Sequence, residues 1–169
     1  MNHYSTSSSQ TARYGSGVIV LTLALAFVIK QLPWQGWVLL ARPDFVLVVL
    51  LFWAQRQPQS ITLGVAFLLG LLADVQDGVV LGQHALAYSV GVFMVQYFLR
   101  RLLMFTLSRQ AMQMLPLMLL VQVVALAAGW LSGRSPQDGW VFVAAITSTL
   151  LWWGVAIAGR MPAAKPGSH

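Results

Sequence analysis

Between polar ends, the chain is a succession of apolar runs broken by short polar links. Residues 1–13 are polar, with Ser5, Thr6, Ser7, Ser8 and Ser9 in a row, and so little apolar surface predicts a disordered tail. Residues 160–169 carry Pro162, Pro166 and Gly167 and predict a second tail. Between them lie six apolar stretches, at about residues 15–32, 37–54, 61–73, 79–99, 112–131 and 140–159. A bilayer crossing needs about 20 such residues in helical form. The pattern predicts an all-α fold, a polytopic membrane domain of six transmembrane helices over residues 14–159.

Two stretches are interrupted. In the second, Arg42-Pro43-Asp44 breaks the apolar run. Proline lacks an N–H and suits the first helical position, with an acid beside it at the positive dipole end. A helix is therefore expected over about residues 43–56, roughly 21 Å long, shorter than a bilayer core. The preceding piece, residues 34–41, is then re-entrant or interfacial, because irregular backbone at that depth must face protein or water. The third stretch is also short and runs into Asp74-Val75-Gln76-Asp77-Gly78, followed soon by Gly82-Gln83-His84. Gly78 and Gly82 read as turn and packing glycines. Small residues four apart at Ala66/Gly70, Ala87/Gly91 and Ala125/Gly129 allow close helix approach in lipid.

Composition agrees with a lipid solvent. Hydrophobic residues make up 58% of the chain and charged residues 8%, with mean hydropathy +0.73. A soluble domain usually carries about 25% charged residues to cover its surface. Cysteine is absent, which removes disulfides, thiolate metal sites and a thiol nucleophile. The first stretch contains Ala24-Leu25-Ala26, similar to a signal-peptidase site, but only Arg13 precedes it and the apolar run continues, so a retained helix is expected.

The net charge of +6 has a spatial pattern. With six spans and both termini inside, the inner segments hold Arg13, Arg56, Arg100, Arg101, Arg109, Arg160 and Lys165 and no acid. The outer segments hold Lys30, Arg42 and Arg134 with all four acids, Asp44, Asp74, Asp77 and Asp138. Excess Lys and Arg mark the cytoplasmic side. The basicity thus reads as topology and contact with anionic lipid, with no nucleic-acid footprint. Trp34, Trp37, Trp130 and Trp140 are expected at the outer interface, and Tyr14, Trp53, Tyr97, Phe98, Trp152 and Trp153 near the inner one.

Candidate chemistry gathers on the outer side: Arg42, Pro43, Asp44, Asp74, Asp77, Gly78, Gly82, Gln83 and His84. Ionisable groups at membrane depth face a bundle interior or a wet cavity, and an ion pair of Arg42 with Asp74 or Asp44 is expected. Two readings stand. The cluster is an outward-facing polar pocket or partner-docking site, or its groups cap helices and satisfy one another. A metal held by Asp74, Asp77 and His84 lacks a recognised ligand motif, and none is expected, nor any other cofactor. No GxSxG, HExxH, P-loop or Rossmann pattern occurs, and no spacing sets a serine such as Ser89 beside His84 as a nucleophile, so no catalytic residue is assigned.

Three segments carry a family resemblance: Arg42-Pro43-Asp44-Phe45-Val46-Leu47-Val48-Val49-Leu50-Leu51-Phe52-Trp53-Ala54, Gly70-Leu71-Leu72-Ala73-Asp74-Val75-Gln76-Asp77-Gly78, and Leu81-Gly82-Gln83-His84-Ala85-Leu86. With Pro58 in the following link and Arg109-Gln110-Ala111 at the start of the fifth stretch, they resemble the rod shape-determining MreD family over about residues 14–159. Asp74, Gly78 and Gly82 fit the family pattern. Asp77 departs from it, standing where apolar or small residues are more usual. The resemblance implies a six-helix bacterial inner-membrane protein with both termini cytoplasmic and a fold similar to the substrate-binding components of energy-coupling-factor transporters. It further implies a non-enzymatic role in rod shape. The implied partners are MreC and, through it, RodA and its class B transpeptidase, alongside MreB. That fold relation keeps a small-molecule binding or transport component as the alternative, its polar pocket lying under a lid at residues 34–41.

Overall fold

The computed structural model describes residues 15–33, 36, 42–104, 107–133 and 141–158. Among these there are six α-helices and no strand: α1 Ser16–Lys30, α2 Phe45–Arg56, α3 Leu63–Asp77, α4 Gln83–Leu103, α5 Leu107–Leu131 and α6 Val141–Ala158. The two tails and the segment at residues 37–41, expected as part of a lid or re-entrant piece, lie outside the described residues.

The six apolar runs correspond to the six helices, but the helices are unequal. Only α5, among the described residues, contains a stretch long and apolar enough to cross a bilayer by itself, Met112–Leu131. The helices α1 and α2 and the Val143–Ala158 part of α6 are apolar but shorter. At 1.5 Å per residue, the 12 residues of α2 reach about 18 Å, against a hydrocarbon core of about 30 Å. The helix also begins two residues later than expected. Pro43 precedes it, and Asp44 is its N-cap, accepting a hydrogen bond from the Leu47 amide at 3.1 Å. A capping carboxylate needs non-helical backbone of its own, which is why the helix cannot start before it.

The centre of the bundle is α2. Val46, Leu47, Val48, Leu50, Leu51, Phe52, Trp53 and Ala54 are all buried, which a helix apolar on every side requires. Its neighbours are α1, α4 and α6, while α3 packs on α4, α4 on α5 and α5 on α6. The closest approach joins α3 to α4. A methyl group on Gly70 would collide with the backbone of Ala85 and stand 2.7 Å from the carbonyl carbon of His84. Gly91 meets side chains of Val121 and Leu51 instead, and Gly129 meets Gln83. Of the three small-residue spacings, Ala66/Gly70 is the one that brings backbone against backbone.

Large apolar side chains also cover the outside. On α1 these are Val20, Leu21, Leu25 and Val28; on α3 they are Phe67, Leu68, Leu72 and Val75. The two Trp residues expected near the inner headgroups, Trp53 and Trp152, are buried instead. Trp53 donates its indole N–H to Thr22 Oγ1 at 2.9 Å, tying α2 to α1. Trp153 and Tyr97 remain exposed, as does Trp130 at the end of α5.

Charges separate along the bundle. The ends of α1 and α3 meet the beginnings of α2 and α4 at one end, through Lys30, Asp44, Asp74, Asp77 and His84. At the other end Gln55 of α2 reaches Met114 of α5, and Gln96 of α4 donates to the carbonyl of Ile61 at 2.6 Å. Arg56, the last turn of α4 with Arg100 and Arg101, and the first turn of α5 with Arg109 belong to that second end.

Candidate functional site

Two carboxylates of the first end serve helix N-termini. A helix leaves its first amides without partners, and its dipole makes that end positive. Asp44 answers this for its own helix. Its oxygens also accept from the Tyr88 hydroxyl, at 2.8 Å each, and its backbone N–H donates to Ser148 Oγ at 2.9 Å. One residue thereby joins α2, α4 and α6.

Asp74 does the same for a helix other than its own. It sits in the last turn of α3, fully buried, and faces the start of α4. Oδ2 accepts from the Gly82 amide at 2.8 Å and the Ala85 amide at 3.4 Å; Oδ1 accepts from the His84 amide at 2.7 Å. The His84 ring lies 2.9 Å from Oδ1 through Nδ1. Where Asp74 carries its charge it can only accept, and the hydrogen of this contact then comes from Nδ1. The turn that allows this needs two left-handed residues, and Gly78 (φ 60°) and Gly82 (φ 104°) supply them. Gly78 ends α3, and the Val79 amide returns to the Asp74 carbonyl at 3.1 Å.

Asp77 is the ionic hub. Lys30 Nζ is 2.6 Å from its Oδ2 and Arg42 is 3.4 Å from its Oδ1. His84 Nε2 stands 3.8 Å away. The expected pairing of Arg42 with Asp74 or Asp44 is therefore corrected. Those two carboxylates are occupied by amides, His84 and Tyr88, and Arg42 turns to Asp77. Gln76 adds a hydrogen bond from its amide to the Phe27 carbonyl at 3.1 Å, so α1 is fastened to α3 twice.

All nine candidate residues fall at this end, but they do different work. Asp44, Asp74, Asp77, His84 and Arg42 bond directly; Gly78 and Gly82 shape the turn; Pro43 precedes the cap. Gln83 packs against Gly129 of α5, with its buried Oε1 unpartnered. Ser89 donates to the Ala85 carbonyl at 2.7 Å and faces no base. Among the described residues no three His or acidic side chains are arranged to hold a metal ion. Sequence reading missed Lys30, Tyr88 and Ser148 as members of the cluster. A cation in the last turn of an apolar helix demands a partner, which could have flagged Lys30. Tyr88 lies one turn beyond His84 and had that much of a signal. Nothing local points to Ser148, 104 residues from Asp44 in the chain.

Two hollows lie away from this cluster. A groove of about 310 Å³ between α1, α2 and α6 is lined by Leu25, Ile29, Val49, Phe52, Val155 and other apolar residues. A second, about 260 Å³, lies between α4 and α5 near Pro116.

An all-helical bundle with apolar outer faces, its charges drawn to the two ends, is a helical membrane protein. The chain belongs to the MreD family: the description "rod shape-determining protein MreD" matches residues 11–159. It is also similar to the rod shape-determining protein MreD of Haemophilus influenzae, 34% identical over 77 residues, which cover 46% of this chain and 48% of that relative. No solved structure matches it.

Proposed function

We propose that the chain is a non-catalytic scaffold of the bacterial cell-elongation machinery. It crosses the cytoplasmic (inner) membrane with six helices, keeps both termini in the cytoplasm, and maintains rod shape by binding MreC. Through MreC it supports peptidoglycan synthesis by RodA and its class B transpeptidase, alongside MreB. Family membership supports the cell-shape role. The observation that supports the non-catalytic part is the occupancy of Asp44, Asp74 and Asp77: helix amides, Tyr88, His84 and Lys30 hold them, leaving no paired nucleophile and base among the described residues. The arginine-bearing end supports a cytoplasmic placement of both termini.

The groove between α1, α2 and α6 supports an apolar partner. Its one hydroxyl, on Thr22, accepts from Trp53 and donates to the Val18 carbonyl, so an occupant need offer no polar group. A transmembrane segment of MreC suits such a surface. A polar small-molecule pocket finds no comparable support among the described residues.

Depletion in a rod-shaped host tests the role. Rounded or widened cells are expected, and cells of normal width and shape would reject it. For the groove, Leu25→Trp at its rim is expected to lower co-purification of MreC while the membrane level of the protein is kept. Unchanged co-purification would remove the groove from the partner interface.

A further inference from the structure

We infer that Lys30 and Asp77 form a latch on α1 that sets the opening of the groove between α1, α2 and α6, and so governs the binding of an apolar partner helix there. Neither side chain lines the groove. The inference rests on the groove reading proposed above and adds to it the residues that control its width.

Two stripes of α1 run side by side toward its end. The buried positions are Ile19, Leu23, Ala26 and Lys30, spaced as one face of a helix. Thr22, Leu25, Ala26 and Ile29 line the groove. The buried stripe thins as it goes. Beyond Leu23 its members are the single methyl group of Ala26 and then Lys30, where an apolar side chain would complete the face. Phe27 adds a half-buried ring beside them. Apolar burial therefore holds the last turn of α1 weakly, and the hold falls to what Lys30 reaches.

Lys30 reaches Asp77. Its Nζ lies 2.6 Å from Oδ2, with the lysine side chain 4% exposed and the aspartate 24%. A cation enclosed to that degree is costly without an anion beside it, so the contact is not readily given up. From the preceding position of α3, Gln76 donates to the Phe27 carbonyl at 3.1 Å. Both are bridges made by side chains, since the helix that α1 mainly packs on is α2 and that of α3 is α4. Arg42 meets the other oxygen of Asp77, at 3.4 Å, but it precedes α2 and holds no part of α1.

A second fixed point lies two turns earlier, where Trp53 donates to Thr22 at 2.9 Å. Thr22 to Lys30 is the stretch of α1 that walls the groove, with α6 across it at Leu151 and Val155. Held at both ends, this wall has one position. Held at Thr22 alone, it can pivot there and carry Leu25 and Ile29 with it. The ion pair thus fixes the shape that a partner helix meets, from outside the surface that the partner touches.

The chain contains no cysteine, so spin labels on introduced cysteines report without background. Val28→Cys on α1 and Leu150→Cys on α6, both exposed positions, give the distance between the groove walls by pulsed electron paramagnetic resonance on the full chain in detergent. Asp77→Asn is expected to broaden and shift that distance and to lower co-purified MreC, the partner proposed above, several-fold. Lys30→Gln should do the same, and is read alone if Asp77→Asn does not reach the membrane. Lys30→Arg, which keeps a cation for Asp77, and Arg42→Ala should leave both readings near wild type. A distance that neither Asp77→Asn nor Lys30→Gln alters overturns the latch, whatever MreC does. A shifted distance with MreC retained overturns its control of the partner. In that case Leu25→Trp separates the two readings: if it still lowers MreC the groove stands and only the latch fails, and if it does not the groove reading has failed as well.

Discussion

A buried carboxylate is tolerated only where its oxygens are filled, and Asp74 shows how completely that is met here. Three amides of the next helix and one imidazole converge on two oxygens. Asp74→Ala would leave those donors without an acceptor, and breaking such a buried set costs about 3–5 kcal/mol. Its membrane level and thermal stability should fall clearly, with Asp74→Asn falling less. Arg42→Ala is expected to behave differently. Its contact is 3.4 Å long and its side chain is 23% exposed, and an exposed pair is worth about 0–1 kcal/mol. Equal losses in the two variants, measured by thermal unfolding in detergent, would contradict the geometry. The sequence singled out Asp74 and Arg42, and both stand at this end of the bundle. It mispaired them because the true partners of Asp74 are mostly backbone amides, which no side-chain pattern reveals.

Among the elements, α3 and α4 form the tightest unit, and Gly70 is the reason. The Ala85 backbone occupies the space a side chain would need. Gly70→Ala must therefore push the two helices apart, and overpacking of this kind costs about 1–3 kcal/mol. The same displacement would draw the start of α4 away from Asp74, so the change should also loosen the cap. Gly154, which has open space around it, provides the comparison: Gly154→Ala should leave stability unchanged or slightly raised. A Gly70→Ala protein as stable as wild type would rule out the close contact. The spacing of Ala66 and Gly70 was legible in the sequence, as were two other pairs of small residues at the same interval, Ala87/Gly91 and Ala125/Gly129. Which of them touches backbone depends on the rotation of each helix about its axis, and that is set by the neighbours.

For the whole molecule, the governing feature is the separation of charge between the two ends. It predicts that reporter fusions at the amino and carboxyl ends will both report the cytoplasm. Fusions in the α3–α4 turn near Val79 should report the opposite side. Termini on different sides would break the six-span reading and the placement of the acidic cluster. The sequence by itself determined that the protein is helical, apolar and divided into six runs, because hydrophobic patterning and proline or glycine punctuation act locally along the chain. It also gathered Asp44, Asp74, Asp77 and His84 at a common level, since residues beside neighbouring turns must share one end of a bundle. Only the tertiary structure decided that Lys30 belongs with Asp77, that Tyr88 and Ser148 close on Asp44, and that α2 lies at the centre. Those contacts join residues from 31 to 104 positions apart, and their geometry follows from how whole helices pack.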